Sequence, residues 1–377
     1  MKNRWLALAF LIALFFPASL MVHAQAVPGA PFSSDAGFGA KLELDGRVIP
    51  QSLRDAGIIH LDWISITFDW ANHWPDVNTQ PDIANLDNAM MYAGQNKLGI
   101  LLRLTHAPDW AKSSAGPDVK LTSWFIANLI TRYPGTLQAI ELFPSANTAA
   151  GWGAEPNPQA YTNLLCAVSA AIRDTRSSVF IVAPGLTPLP ALQPSQHDID
   201  DLAFLQGLYD AGAAACMPVV SINLPVTTGD PLKAPGENEH RVLRHYEDVR
   251  QVMLANQHES GLIWITEFQL PSGQIEPNDV SYNNNASGQA QWLNQAYNQL
   301  RSQLYIGVAF LTTINSPTVN LPENAASVNL VRANLSKHPF YNILKDLILE
   351  SNPSKVILLD FSKPQSKNII KDRSSPP

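Results

Sequence analysis

The sequence predicts an α/β protein, a (β/α)8 TIM barrel, on three observations. Eight short apolar runs recur along the chain. Amphipathic stretches of helix length separate most of them. No glycine-rich turn follows the first run, as an open doubly wound sheet would usually show. In order, the runs are GFGAKLEL, HLDWISITF, LGILLRL, LQAIELF, SVFIVAPG, CMPVVSINL, LIWITEF and YIGVAFLTT. The helical stretches are 83–96, 122–132, 158–174, 201–212, 239–257, 287–301 and 338–350; only the first connection, around Pro50 to Gly57, reads as short. Strands alternating with helices build a parallel sheet, and eight such units close a barrel of about 250 to 400 residues.

The ends of the chain read differently. Lys2 and Arg4 precede WLALAFLIALFF, and Ala24-Gln25-Ala26 offers a cleavage point, so residues 1–26 are expected to be a signal peptide. The apolar run is short for a bilayer span of about 20 residues, and no Cys follows it to carry a lipid. A secreted or periplasmic protein, free of the membrane after cleavage, is the expectation. Residues 27–350 show no break in composition and read as one barrel domain. The tail over 351–377 turns polar and mildly basic, and its last residues read as disordered.

Losing Lys2 and Arg4 takes the formal charge from −7 to about −9. An acidic chain is a poor partner for nucleic acid or an anionic membrane. Cys166 lies in a helical pattern and Cys216 opens an apolar strand, so both read as core residues rather than a bridge. No CxxC, HExxH or phosphate-binding loop occurs, so neither a metal nor a nucleotide cofactor is expected.

Barrel enzymes carry their chemistry at the C-terminal ends of the strands. Strand two ends in Thr67-Phe68-Asp69-Trp70 and strand three in Thr105-His106-Ala107-Pro108-Asp109-Trp110. Strand four runs into Phe143-Pro144-Ser145-Ala146-Asn147 and then Trp152; strand six ends at Asn223 and strand seven at Glu267. Aromatic rings beside carboxylates and amides suit a carbohydrate, whose CH faces stack while its hydroxyls hydrogen-bond. Asp69, Trp70, His106, Trp110, Asn147, Trp152 and Asn223 are therefore candidate sugar contacts. Trp63 and Trp264 lie inside strands and read as packing residues.

With these residues the chain resembles the retaining glycoside hydrolases of clan A, especially secreted cellulase-like or xylosidase-like barrels. IWITEFQ resembles the family's "TEFG" segment, which implies that Glu267 is the nucleophile. The strand-four pattern "E-x-W-N-E-P-N" falls on Glu141-Leu142-Phe143-Pro144-Ser145-Ala146-Asn147. Ser145 thus stands where the family has its acid/base glutamate. An "HPY"-like segment on strand six is replaced by Asn223-Leu224-Pro225-Val226, and Gln269 replaces a glycine after the nucleophile.

A retaining glycosidase needs two carboxyl groups about 5–5.5 Å apart, and an alcohol cannot protonate a departing sugar at neutral pH. Glu141 lies about 13 Å deeper along its strand, pointing inward, where it is expected to pair with Arg103. Glu155 in the loop AEPNP is the alternative acid, with Asp69, Asp109 and His106 behind it. Three readings follow: a carbohydrate-binding barrel with degenerate hydrolysis, an active retaining glycosidase or transglycosidase using Glu155, or a scaffold barrel plugged by Phe143, Leu224 and Leu270.

Overall fold

The computed structural model describes residues 28–31, 35–46, 48–189, 197–236, 239–271, 285–315 and 327–351. The leader expected over 1–26 and nearly all of the tail lie outside them. Among the described residues, no helix is long and apolar enough to cross a membrane.

Eight parallel strands form the closed barrel. They are β1 (Gly37–Leu42), β2 (Trp63–Asp69), β3 (Gly99–Thr105), β4 (Leu137–Leu142), β5 (Phe180–Val182), β6 (Val219–Pro225), β7 (Leu262–Gln269) and β8 (Ile306–Ala309). Each pairs with its neighbours in sequence, and β8 returns to β1 through Gly37↔Val308 and Phe38↔Ala309. These are the eight apolar runs read from the sequence. Their near-continuous burial is what a sheet covered on both faces requires.

The main helices are α1 (Ile49–Ile58), α2 (Ala84–Gln95), α3 (Val119–Arg132), α4 (Pro158–Asp174), α5 (Asp201–Asp210), α6 (Tyr246–Ala255), α7 (Ala286–Arg301) and α8 (Phe340–Ser351). Several begin on a side-chain cap, with Asp118, Asn157, Asp200 and Asn285 accepting from backbone N–H groups of the first turn. The first connection also holds a helix, against the sequence expectation. Pro50 suits its first turn, and Ile49, Ser52, Leu53 and Ala56 recur at helical spacing on its buried face.

Inside the barrel floor, Trp63, Leu101, Ala139, Val182, Val219, Trp264, Val308 and Phe310 pack into one cluster. Trp63 and Trp264 meet edge to face at 4.9 Å between centroids, in the packing role read from the sequence. Strand β1 makes room for these rings with Gly39, where a Cβ would collide with Phe310.

One sequence reading is corrected here. Cys166 on α4 and Cys216, at the end of a 3-10 turn before β6, form a disulfide with their Cα atoms 5.1 Å apart. Each sits in an apolar context of its own, and only the turn Ala213–Cys216 brings them together. The bridge spans 50 residues, so replacing both cysteines by serine is expected to cost about 2–4 kcal/mol. Urea unfolding of the oxidised protein and the variant measures this; equal stabilities would contradict it.

Candidate active site

Above the apolar floor, the barrel interior turns ionic. Arg103 on β3 donates from Nε to Glu141 Oε2 on β4 at 2.6 Å and from Nη1 to Glu267 Oε2 on β7 at 2.5 Å. Lys41 on β1 donates from Nζ to Glu267 Oε1 at 2.5 Å. The other Glu141 oxygen, Oε1, accepts from Gly185 N at 2.7 Å and from the hydroxyls of Ser221 and Thr266 at 3.0 Å each. Gly185 is needed there, because a Cβ would sit 2.8 Å from both Glu141 Oε1 and Thr266 Oγ1. The expected Arg103–Glu141 pair is present, and Glu141 is fully buried. Two cations thus face two carboxylates, so these buried charges are mutually compensated.

Thr266 and Glu267 are adjacent on a strand, yet both reach this network. Strand alternation should send them to opposite faces. The pairing of β6 with β7 shifts between Ile222↔Ile265 and Asn223↔Glu267, leaving Thr266 as an extra residue. A bulge of this kind re-aims side chains beside active sites. Burial alone would raise the Glu267 pKa, but the charges of Lys41 and Arg103, with their hydrogen bonds, hold it below the usual value. Glu267 is therefore ionised at neutral pH, with both oxygens engaged.

Glu267 forms part of the floor of a cleft of about 500 Å³ at the C-terminal ends of the strands. That size lies within the roughly 300–1,000 Å³ of small-ligand sites. Arg103, Thr67, Thr105, His106, Ser145, Thr148, Thr187 and Asn223 supply its polar lining, and Glu267 is the sole carboxylate lining it among the described residues. Ser145 Oγ meets Thr187 Oγ1 at 2.7 Å, and Asn223 Nδ2 donates to the same Thr187 oxygen at 3.1 Å. His106 Nδ1 lies 2.8 Å from Asp69 Oδ2, with the ring largely exposed. His106, Phe143 and Ser145 carry φ of 42°, 47° and 62°. This left-handed backbone at the ends of β3 and β4 is a strain typical of functional sites.

Of the residues expected at the site, Glu267, Ser145, His106 and Asn223 line the cleft. Asp69 stands behind His106 and caps the short helix Trp70–His73 by accepting from Asn72 N. Trp70 does not offer a sugar-stacking face: it is fully buried, stacked on Phe125 at 4.5 Å. Trp152 is likewise buried, with its Nε1 donating to Ala115 O, and Gly116 presses against its ring. Trp110 is half-buried between Trp70 and Trp74 and donates to Trp74 O.

Asn147 is buried as a loop pin, bonded to Thr187 N and O and to Ile199 O. The loops after β2, β3 and β4 fold back onto one another, so rings that read as rim residues became packing residues. Glu155 is exposed and not among the cleft-lining residues. Asp109 is exposed and paired with Lys112. Phe143, Leu224 and Leu270 are buried and do not line the cleft.

Lys41 and Thr187 were missed. Lys41 had a signal, as the lone cation in the apolar run GFGAKLEL, while Thr187 lies beyond the apolar part of strand five.

No family model and no curated protein sequence matches this chain. Solved structures do. A family 39 glycoside hydrolase from the gut symbiont Bacteroides cellulosilyticus WH2 aligns with TM-score 0.60 at 14% identity, over 84% of this chain and 64% of that chain, just under two thirds of its length. GH5_18 from Streptomyces cattleya, in complex with GlcNAc, gives TM-score 0.62 at 12% identity over 84% and 80% of the two chains. Native xylanase 10B from Thermotoga maritima gives 0.55 at 10% identity over 84% and 95%. The likeness is one of fold, and the fold is a (β/α)8 barrel.

Proposed function

We propose that this protein binds a carbohydrate in the cleft above Glu267 and hydrolyses glycosides poorly or not at all. One observation carries the reading: a polar cleft at the strand ends lined, among the described residues, by Glu267 as its sole carboxylate. Retaining hydrolysis uses a second carboxyl about 5–5.5 Å away, and Ser145 occupies the strand-four position. The clamp of Lys41 and Arg103 works in the same direction, because both Glu267 oxygens are committed to charged donors. The glycosidase-like fold supports carbohydrate as the ligand class. With Trp70 and Trp152 turned inward, recognition would run through hydroxyl contacts to His106, Ser145, Thr187 and Asn223.

Secretion or residence in the periplasm belongs to the same proposal. The leader pattern supports it, and so does the Cys166–Cys216 bridge, since disulfides persist in oxidising compartments.

Calorimetric titration with xylo-, cello- and manno-oligosaccharides, followed by intact-mass analysis with activated 2-fluoro-glycosides, tests the reading. Saturable binding weakened at least tenfold by Asn223→Ala is expected, with no reducing ends released. No binding across the panel would point to a scaffold. A stable adduct absent from Glu267→Gln would instead show a working nucleophile and favour an active glycosidase with an acid from a loop such as that of Glu155.

A further inference from the structure

A second polar cluster lies away from the cleft, where the loop after β6 meets the start of α5. Asp201, the first residue of α5, is almost fully buried, and His245, just ahead of α6, is fully buried. His245 Nε2 faces Asp201 Oδ2 at 2.6 Å, and His240 Nδ1 faces the other oxygen, Oδ1, at 3.2 Å. The two imidazoles lie nearly parallel, with centroids 4.7 Å apart, and present their nitrogens to one carboxylate. The candidate donor atoms of Asp201, His240 and His245 all lie within 4.8 Å of one another.

We propose that these three side chains form a binding site for a divalent transition metal of the zinc type. Zinc takes imidazole nitrogen at about 2.0–2.1 Å and carboxylate oxygen at about 2.0–2.2 Å. Tetrahedral ligands at those lengths stand roughly 3.3 Å apart, so to admit the ion the 2.6 Å His245–Asp201 pair opens slightly and the widest donor separation, within 4.8 Å, closes by side-chain rotation. Asp200 can close the coordination: its Oδ1 caps α5 at Leu202 N and Ala203 N, while Oδ2 lies 3.7 Å from His240 Nδ1.

The feature that separates this cluster from a chance ion pair is behind the ligand. Asp248 Oδ2 lies 3.0 Å from His245 Nδ1. A carboxylate there accepts a hydrogen bond from Nδ1–H and leaves Nε2 as the coordinating lone pair, the outer-shell arrangement of metal-bound histidines. Two imidazoles with carboxylate oxygen suit zinc, cobalt or nickel over calcium or magnesium, which prefer all-oxygen shells. The ion would staple the loop carrying His240 to α5 and α6.

The test uses the full mature chain without a histidine tag, stripped with chelator and titrated with Co²⁺. Visible d–d bands saturating near one equivalent are expected, together with a rise in Tm on adding Zn²⁺. His240→Gln, at a partly buried position where an amide can keep a hydrogen bond, is expected to fold and to abolish the bands and the Tm rise, and Asp248→Asn to weaken binding about 10–100-fold. Wild-type protein with neither bands nor a Zn²⁺-dependent Tm overturns the site and leaves a proton-held ion-pair network. Unchanged bands in folded His240→Gln overturn the ligand set.

Discussion

Arg103→Met is expected to destabilise the barrel by about 3–5 kcal/mol, the cost of breaking a buried ion pair from one side. Arg103 is 4% exposed and serves Glu141 and Glu267 at once. Removing it leaves Glu141 fully buried without its counter-charge and dependent on Gly185 N, Ser221 and Thr266. Those three neutral donors should hold the loss towards the lower end of the range. Adding Glu141→Gln should recover a large part of it, because an amide needs no counter-charge; the two positions are in contact, so their effects will not add. Urea denaturation of the single and double variants measures the coupling. A single-variant cost under about 1 kcal/mol would mean that the network adds little to stability.

Ser145→Glu is expected to raise hydrolysis of unactivated oligosaccharides by about 10²–10⁴-fold over the wild type, the usual contribution of a general acid. Ser145 lines the cleft, as Glu267 does, and it occupies the strand-four position of the acid in the resembled pattern. The backbone already holds φ of 62° there, so the substitution inherits existing strain. The substitution loses the Ser145–Thr187 hydroxyl contact and puts a second carboxyl into the cleft that Glu267 lines. A reducing-end assay on cello- and xylo-oligosaccharides reads the gain, and adding Glu267→Gln should remove it. A folded Ser145→Glu protein with no gain would argue that the clamped Glu267 cannot attack, or that residue 145 is not where the leaving oxygen sits.

Much of the architecture was legible because it is locally encoded. Eight apolar runs with helical stretches between them state the order and type of the elements, and each run became one barrel strand. Glu141 and Arg103 could be paired from the sequence because pleat alternation alone says which way each points. Glu267 was placed at the rim by a different rule, because it closes strand seven at the end where barrel enzymes carry their chemistry.

It failed where the chain breaks its own period or meets a distant part of itself. The bulge at Thr266 lets two adjacent residues face inward, which alternation forbids. Lys41 reaches Glu267 across 226 residues, so the clamp exists only once β8 has closed onto β1. Trp70 and Trp152 read as rim residues because they follow strands, yet the loops fold back and bury them. The half-buried partners Cys166 and Cys216 were joined by a 3-10 turn with no periodic signature. Asp201 and His245, 44 residues apart, met only through the packing of α5 near α6. The sequence by itself determined the kind of barrel and the rim on which chemistry could sit, since both follow from hydrophobic period and strand direction. Which charges meet, which rings are hidden and which carboxylate is left facing the cleft were decided by closure and loop packing, whose energies come from contacts between residues far apart in the chain.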